Sequence, residues 1–181
     1  TWHWVFFVPL AASTTLGLDG HPRRPPGGLS ERYPRRMFAG AQLAADGGGL
    51  QPGRGATRHS ELVRAEEKSG RSGELLLVSV HHRYVHGESV VLEETQDLVY
   101  RTASVAPTPA PTEGGEAPAG AVVRSFTPDR PLLFRFSAVT FNAHRIHYDE
   151  PYAAGAEGYP GLVVHGPLTA TLLADLAADQ L

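Results

Sequence analysis

The sequence of 181 residues contains no cysteine, and this absence excludes several kinds of site together. Without thiols the chain can form no disulfide, no thiolate zinc site and no cysteine nucleophile. The sequence also lacks a run of about 18 apolar residues, so we expect no membrane-spanning helix. Its formal net charge of -3 differs from the basic balance typical of nucleic-acid-binding proteins. We therefore expect a cytoplasmic protein with no nucleic-acid partner.

Proline and glycine cluster in a few segments and divide the chain. Residues 106–121 read APTPAPTEGGEAPAGA and lack any bulky apolar side chain, which is typical of a linker or long surface loop. This predicts an N-terminal half over residues 1–105 and the start of a C-terminal half over residues 122–181. Because the chain begins with Thr1 rather than Met, we also expect that its beginning is missing.

Alternating apolar residues before the linker predict an antiparallel meander. Residues 74–86 and 89–101 each place apolar side chains on one face of a strand, and residues 58–67 precede them across a turn-forming cluster. Three successive strands joined by short turns pair with their neighbours. The expected inward positions are Leu76, Val78, Val80, His82, Tyr84, Val90, Leu92, Leu98 and Tyr100.

Two helices are predicted after the linker. Thr127 followed by Pro128 and Asp129 is a typical helix start, and apolar residues then recur at helical spacing from Leu132 to Val139. A second helix opens at Gly166, because the missing N–H of Pro167 costs little in the first turn. Its apolar face carries Leu168, Leu172 and Leu176.

Residues 136–173 hold the motif that carries most information. They read FSAVTFNAHRIHYDE, then a Gly-Tyr-Pro-Gly turn, a short apolar run and His165-Gly166-Pro167-Leu168. This order and spacing resemble the MaoC-like dehydratases, the R-specific enoyl-CoA hydratases. Their pattern is roughly Ser-Gly-Asp-x-Asn-Pro-x-His-x-Asp, followed by a glycine-rich turn and His-Gly at the start of a long central helix.

The chain departs from that pattern at defined positions. The family's catalytic aspartate falls on Asn142, its asparagine on His144 and its proline on Arg145, whereas its histidine is kept as His147 and its trailing acid as Asp149. This form is closer to the branch of mesaconyl-C4-CoA and itaconyl-CoA hydratases and mitochondrial-type hydroxyacyl-thioester dehydratases. Four N-terminal blocks also resemble that branch, at residues 2–4, 16–24, 34–37 and 93–97.

The resemblance implies an α+β double hot-dog fold, in which an antiparallel sheet wraps a central helix twice. Measured against that branch, we expect the chain to be truncated at both ends. It also implies a hydro-lyase that hydrates mesaconyl-C4-CoA or a similar short dicarboxylic enoyl-CoA. Alternatives are a 3-hydroxyacyl-[acyl carrier protein] dehydratase and a non-catalytic subunit that binds acyl-CoA. Because hot-dog folds usually pair their sheets, we expect a homodimer.

Hydration of an enoyl thioester needs a base for the water, a proton for the α carbon and stabilisation of the thioester oxygen. His147 is the expected base, since an imidazole titrates near neutral pH. Asn142 cannot be a base but can orient water. Either His147 handles both proton transfers or a carboxylate elsewhere replaces the aspartate, and Asp149 is the nearest candidate. The expected substrate contacts are Tyr148, His165, Gly166 and Leu168.

Other interpretations of these residues stay open. His144, His147 and Asp149 have a spacing that metal ligands also show, but we expect neither a metal nor a cofactor, since coenzyme A is part of the substrate. His165 is either a buried helix cap or a substrate contact. Surface or interface positions are expected for His81, His82 and His86, and core positions for Trp2, Trp4, Phe6 and Phe7. The arginines among residues 21–24 and 35–36 could bind coenzyme A phosphates or be solvated.

Overall fold

The computed structural model describes residues 2–8, 10–24, 29–45, 49–70, 73–102 and 115–180. The chain forms two compact units, Arg24–Ser104 and the combination of Thr1–Arg23 with Val105–Leu181. Most of the predicted linker, residues 106–114, lies outside the described residues. The division into two hot-dog halves therefore stays a prediction. In the described ranges, no helix is long and apolar enough to cross a membrane.

The unit Arg24–Ser104 is built on a four-stranded antiparallel sheet of order β1-β4-β3-β2. The one-turn helix α1, Leu29–Arg32, precedes it. The predicted meander is confirmed, with two strands matching their predicted limits to within one residue. The first strand was missed because its sequence, RRMFAGAQLAA, does not alternate and its pairing with β4 shifts between Phe38 and Gly40. The strands are β1 Arg35–Ala45, β2 Thr57–Gly70, β3 Gly73–His86 and β4 Ser89–Arg101.

The inward face of the sheet is largely apolar and holds a buried carboxylate. Leu76, Tyr84, Leu92 and Leu98 are buried there, as the alternation predicts, whereas Val90, also expected to face inward, is 37% exposed. Glu94 is 1% exposed on the same strand as Leu92. Its carboxylate accepts hydrogen bonds from the Tyr84 hydroxyl at 2.8 Å and from the Gln96 amide at 3.3 Å. These donors offset the cost of burying the charge.

The strand histidines do not share one environment. His86 is only 3% exposed, so the surface position expected for it is wrong. Its Nδ1 hydrogen-bonds to the Gly55 carbonyl at 2.8 Å, and its Nε2 accepts from the Gln51 amide at 3.4 Å. A ring satisfied on both nitrogens by backbone groups is structural. His81 and His82 are half-buried.

The second unit is helical in its described residues and contains α2, Arg130–Thr140, α3, Glu150–Gly155, and α4, Gly166–Ala178. Short 3₁₀ helices lie at Trp2–Val5, Ser13–Thr15 and Arg145–His147. The start predicted for α4 is confirmed. Three N-terminal aromatic predictions differ from the structure, since Phe6 is 53% exposed and Trp4 and Phe7 are half-buried. The prediction for the Trp2 side chain lies outside the described residues.

Helix α2 begins later than the sequence predicts. Its cap is Asp129, whose Oδ1 accepts from the Leu132 amide at 2.9 Å. A cap at Thr127 would place Pro131 where an amide has to make the first intrahelical hydrogen bond, which proline cannot do. The buried face also differs, because Leu133 and Ser137 are buried whereas Val139 is 56% exposed.

The Tyr84–Glu94 hydrogen bond should stabilise the sheet measurably. Tyr84→Phe leaves a buried carboxylate with one donor fewer, so we expect the free energy of unfolding to fall by about 1–3 kcal/mol. Urea denaturation followed by circular dichroism measures this change. Tyr100→Phe is the control, since phenylalanine keeps the ring that Arg24 contacts at 5.1 Å. Equal effects of both substitutions would contradict the role given to Glu94.

Candidate active site

The site is assembled by the loop that follows α2. Phe141 ends the helix in the left-handed region at φ 52°, the one described non-glycine residue with positive φ. This reverses the chain direction, and the Asn142 amide then bonds back to the Ser137 carbonyl at 2.9 Å. The side chain of Asn142 accepts from the His144 amide at 3.0 Å, which shapes the next turn. Asn142 therefore fixes the loop that carries the histidines.

His147 is held in one tautomer by a backbone carbonyl. Its Nδ1 lies 2.7 Å from the oxygen of Val163. Because a carbonyl oxygen only accepts, Nδ1 carries the proton and Nε2 of the neutral ring keeps its lone pair. The Val163 amide in turn donates to the Ile146 carbonyl at 2.9 Å, so the two segments are joined on both sides. Nε2 is the atom available as a base.

His165 lies against the same ring. The two imidazoles stack with centroids 3.6 Å apart and an angle of 18° between their planes. His165 is fully buried, and its Nε2 is 2.8 Å from the Ser137 hydroxyl. Its Nδ1 is buried with no hydrogen-bond partner. His165 is buried and occupies the cap position of α4, as one interpretation expects, but its side chain makes no capping hydrogen bond.

Burial keeps both stacked rings uncharged. Desolvation lowers the pKa of His147 to about 4, although the hydrogen bond to Val163 opposes the shift and the charge of His21 adds to it. Desolvation, with a smaller contribution from His147, lowers the pKa of His165 to about 3. At neutral pH both rings are therefore free of charge, and His147 is in the form that can accept a proton.

The N-terminus of α4 begins immediately beside this pair. Gly166 is exposed, and Pro167 has no amide hydrogen to donate. The first-turn amides of a helix have no intrahelical acceptor and carry the positive end of its dipole. The amides of Gly166 and Leu168 therefore form a donor group for an oxygen that gains negative charge. The exposed glycine lets that oxygen come close.

An N-terminal loop packs onto the histidine loop within the same unit. The Arg145 amide donates to the Asp19 carbonyl at 2.9 Å, and its guanidinium donates to the Leu18 carbonyl at 3.0 Å. Gly20 has φ 90°, and a Cβ there would lie 1.8 Å from the Ala143 oxygen. Only glycine allows this approach. The packing brings Asp19 and His21 to the site.

Four rings form a continuous histidine row, consisting of His21, His144, His147 and His165. Successive ring centroids are 4.2, 5.5 and 3.6 Å apart. Asp19 lies at one end, with its Oδ2 3.0 Å from His21 Nδ1. Burial alone would raise the pKa of Asp19, but the hydrogen bonds and charge of His21 outweigh it, so the pKa lies below its ordinary value. The row thus ends on an ionised carboxylate.

Asp149 has a different environment from the one expected of a catalytic carboxylate. Its Oδ2 accepts from Arg145 at 2.7 and 3.0 Å, and its Oδ1 accepts from the Tyr152 amide at 3.1 Å to cap α3. The hydrogen bond from Arg145 lowers the pKa of Asp149. Both oxygens are engaged in holding the loop. The geometry therefore favours a structural role over proton transfer.

Among the described residues, the side chains that come close enough to share a cation include His144 but not the other two considered from the sequence. Asp19, His21 and His144 place candidate ligand atoms within 4.8 Å of one another. Asp149 is instead bound to Arg145 and to the start of α3, so His144, His147 and Asp149 do not form a ligand set. The expectation of neither metal nor cofactor stays a prediction.

Comparison with known proteins identifies the family. Residues 1–181 match the sequence model of hydroxyacyl-thioester dehydratase type 2. The chain belongs to this family. Mesaconyl-C(4)-CoA hydratase of Chloroflexus aurantiacus is 51% identical over 179 residues, which are 97% of this chain and 62% of that protein. This chain therefore spans less than two thirds of the length of this curated relative.

Two solved structures resemble this chain in fold. A MaoC-like dehydratase aligns with a TM-score of 0.52 and 20% identity over 76% of this chain and 52% of that one. HtdX from Mycobacterium tuberculosis aligns with a TM-score of 0.51 and 22% identity over 79% of this chain and 55% of that one. At these identities the likeness shows the fold alone. The predicted α+β hot-dog fold is confirmed.

The structure brings some of the predicted site residues together and separates others. His147, His165 and Gly166 are adjacent, and Leu168 is buried in the first turn of α4. Tyr148 is 47% exposed, and its hydroxyl donates to the Ala143 carbonyl at 3.0 Å. Asp19, His21 and Ser137 were missed as members of the site. The family-like block at residues 16–24 was the available signal for Asp19 and His21.

The buried histidines make the stability of the folded chain depend on pH in a defined direction. Between pH 6.5 and about 4 the unfolded chain binds protons that folded His147 excludes, so stability is full above pH 6.5 and falls as pH decreases. The expected slope is up to about 1.4 kcal/mol per pH unit for each such ring. Urea unfolding at pH 7.5, 6.5, 5.5 and 4.5 measures it.

His147→Gln should reduce that slope by about the contribution of one ring. His59→Gln, at an exposed position of β2, is the matched control and should leave the slope unchanged. A slope that His147→Gln does not alter would show that His147 is not held neutral by burial.

Proposed function

We propose that the chain provides the acid–base site of a hydro-lyase that adds water to an enoyl-CoA thioester. The preferred substrate is mesaconyl-C4-CoA or a similar short dicarboxylic enoyl-CoA. The observation that carries this proposal is the neutral His147 with its lone pair on Nε2, beside the N-terminus of α4. One group can take a proton from water while the other stabilises an oxyanion.

In this reaction His147 Nε2 accepts a proton from water as the water oxygen attacks the β carbon. The electron pair of the double bond moves towards the thioester carbonyl, whose oxygen gains enolate charge. The amide of Gly166 or Leu168 donates to that oxygen, assisted by the helix dipole. Asn142, already fixed by its bond to the His144 amide, orients the water rather than deprotonating it. Tyr148, which is exposed, is the proposed substrate contact on this loop, whereas the fully buried His165 supports the His147 ring.

Family membership supports the reaction class, and the name of the relative supports the substrate. The relative that is 51% identical is named for hydration of mesaconyl-C4-CoA. An acyl-CoA thioester is therefore the proposed partner, with no cofactor beyond the coenzyme A of the substrate. A homodimer and a cytoplasmic location are further proposals. The homodimer rests on the tendency of hot-dog folds to pair their sheets.

A second candidate is favoured by the family description, which names hydroxyacyl-thioester dehydratases. The reverse reaction on longer acyl chains held by an acyl carrier protein would use the same base and oxyanion site. A panel separates the candidates: mesaconyl-C4-CoA, crotonyl-CoA, a C10 enoyl-CoA and 3-hydroxyacyl carrier protein. Turnover of short dicarboxylic thioesters alone selects the first candidate. Tight binding of every thioester without turnover would select a non-catalytic acyl-CoA-binding subunit.

His147→Gln should lower kcat for hydration by about 10²–10⁴-fold, because removal of a general base typically costs that much. Glutamine has a similar size but no basic nitrogen. Loss of absorbance of the conjugated enoyl thioester follows the reaction. The control is His59→Gln, an exposed position on the sheet, which should keep wild-type turnover. Near-full activity of a folded His147→Gln protein would refute the assignment of the base.

A further inference from the structure

We propose that His21, oriented by Asp19, is a second catalytic acid–base group of this site and delivers the proton to the α carbon. This inference rests on the proposed hydration, and it names the carboxylate that takes over from the missing family aspartate. Asp19 acts through His21 and is a positioning residue. Neither residue belongs to the His147 segment in sequence.

The need for a second group follows from the chemistry. Hydration removes one proton from water and places one proton on the α carbon. The side-chain amide of Asn142 cannot carry out either proton transfer. The carboxylate of Asp149 is already hydrogen-bonded to Arg145 and to the amide of Tyr152, where it caps α3. His147 with its single free nitrogen covers one transfer at a time. An additional titratable pair in the same row of rings, separated from His147 by His144, would allow both transfers in one binding event.

The Asp19–His21 pair has the geometry of an oriented catalytic histidine. Asp19 Oδ1 accepts from the His21 backbone amide at 3.0 Å, and Oδ2 lies 3.0 Å from His21 Nδ1. The ionised carboxylate keeps the proton on Nδ1, so Nε2 is the nitrogen that exchanges protons. In serine hydrolases a carboxylate sets the tautomer and direction of the base histidine in the same way.

The position of the pair is fixed rather than incidental. The Arg145 amide bonds to the Asp19 carbonyl, and Gly20 packs against Ala143 at a distance that excludes any side chain. The His21 ring lies 4.2 Å from His144, which is next in the row to His147. About a quarter of each side chain, 21% for His21 and 27% for Asp19, stays exposed. Solvent can therefore restore its proton.

The proposed step balances in atoms and charge. An O–H bond of water breaks and its proton goes to His147 Nε2, while the C–O bond forms at the β carbon. The enolate electron pair then takes a proton from protonated His21 Nε2 to form the C–H bond at the α carbon. His147 has gained one proton and His21 has lost one. Transfer through water returns the proton, so water is the one co-reactant.

The same side chains could instead bind a divalent cation, since Asp19, His21 and His144 have candidate ligand atoms within 4.8 Å. The hydrogen bonds favour the acid–base role, because both oxygens of Asp19 are already paired with His21 without an ion. Metal dependence is therefore an outcome that the experiment has to distinguish.

The test compares Asp19→Asn, Asp19→Glu, His21→Gly and the control His59→Gly in the hydration assay. We expect kcat to fall by about 10²–10⁴-fold in His21→Gly and by at least about tenfold in Asp19→Asn, with KM nearly unchanged. Imidazole added to His21→Gly should restore part of kcat, which a purely structural role would not allow. Asp19→Glu should recover more activity than Asp19→Asn. The control variant should match wild type.

Four results would overturn the proposal. Full turnover of folded His21→Gly, or a loss of activity that imidazole does not rescue in a protein with wild-type melting temperature, excludes proton delivery by His21. Inactivation of wild type by a chelator with recovery on Zn²⁺ addition assigns the cluster to a metal instead. Wild type that hydrates none of the tested thioesters refutes the proposed function itself, and the second acid–base group with it.

Discussion

The hydrogen bond from His147 Nδ1 to the Val163 carbonyl is the interaction on which the site depends. It is 2.7 Å long and joins the histidine loop to the segment that leads into α4. It fixes the ring plane and the tautomer, and it leaves Nε2 as the reactive atom. The reciprocal bond from the Val163 amide to Ile146 makes the connection two-sided. The hydrogen bond from His147 to Val163 therefore fixes the position of the base relative to the N-terminus of α4.

The remaining histidines are arranged around that bond by burial and charge. His165 stacks on His147 in a fully buried position, and the low pKa values of both rings show that desolvation dominates there. At the other end of the row the environment is more open and carries the Asp19 carboxylate. The neutral ring of His147 is suited to accept a proton, and the ring of His21, which is paired with a carboxylate, is suited to donate one. Such opposed environments are how enzymes separate acid and base roles.

Local pattern was sufficient for part of this architecture. The alternation of residues 74–101 predicted two strands and their inward face, and the Gly166-Pro167 step predicted the start of α4. Strand β1 was missed because its small residues and irregular register hide any alternation. The predicted start of α2 is wrong because Thr127 with Pro128 and Asp129 with Pro131 both look like a helix start. A start at Thr127 is excluded because it would require a hydrogen bond from the nitrogen of Pro131.

The site was predictable where it is continuous in sequence and not where it depends on tertiary packing. The order of His147, His165 and Gly166 along the chain identified one half of it. Asp19 and His21 lie more than a hundred residues away from His147 in the sequence. Their position in the site depends on Gly20 packing against Ala143, and hydrophobic periodicity does not predict such a contact. Whether the Asp149 carboxylate is hydrogen-bonded likewise depends on the position of the Arg145 guanidinium, four residues earlier in the sequence.

The most direct test of the central claim is the protonation of His147, read by nitrogen NMR of the ¹⁵N-histidine-labelled protein at pH 7. The chemical shift of a ring nitrogen differs strongly between its protonated and unprotonated states, and His147→Gln assigns the signals. The account predicts a proton on Nδ1 and a bare Nε2 in a neutral ring. A protonated Nε2, in either the other tautomer or an imidazolium, would contradict it.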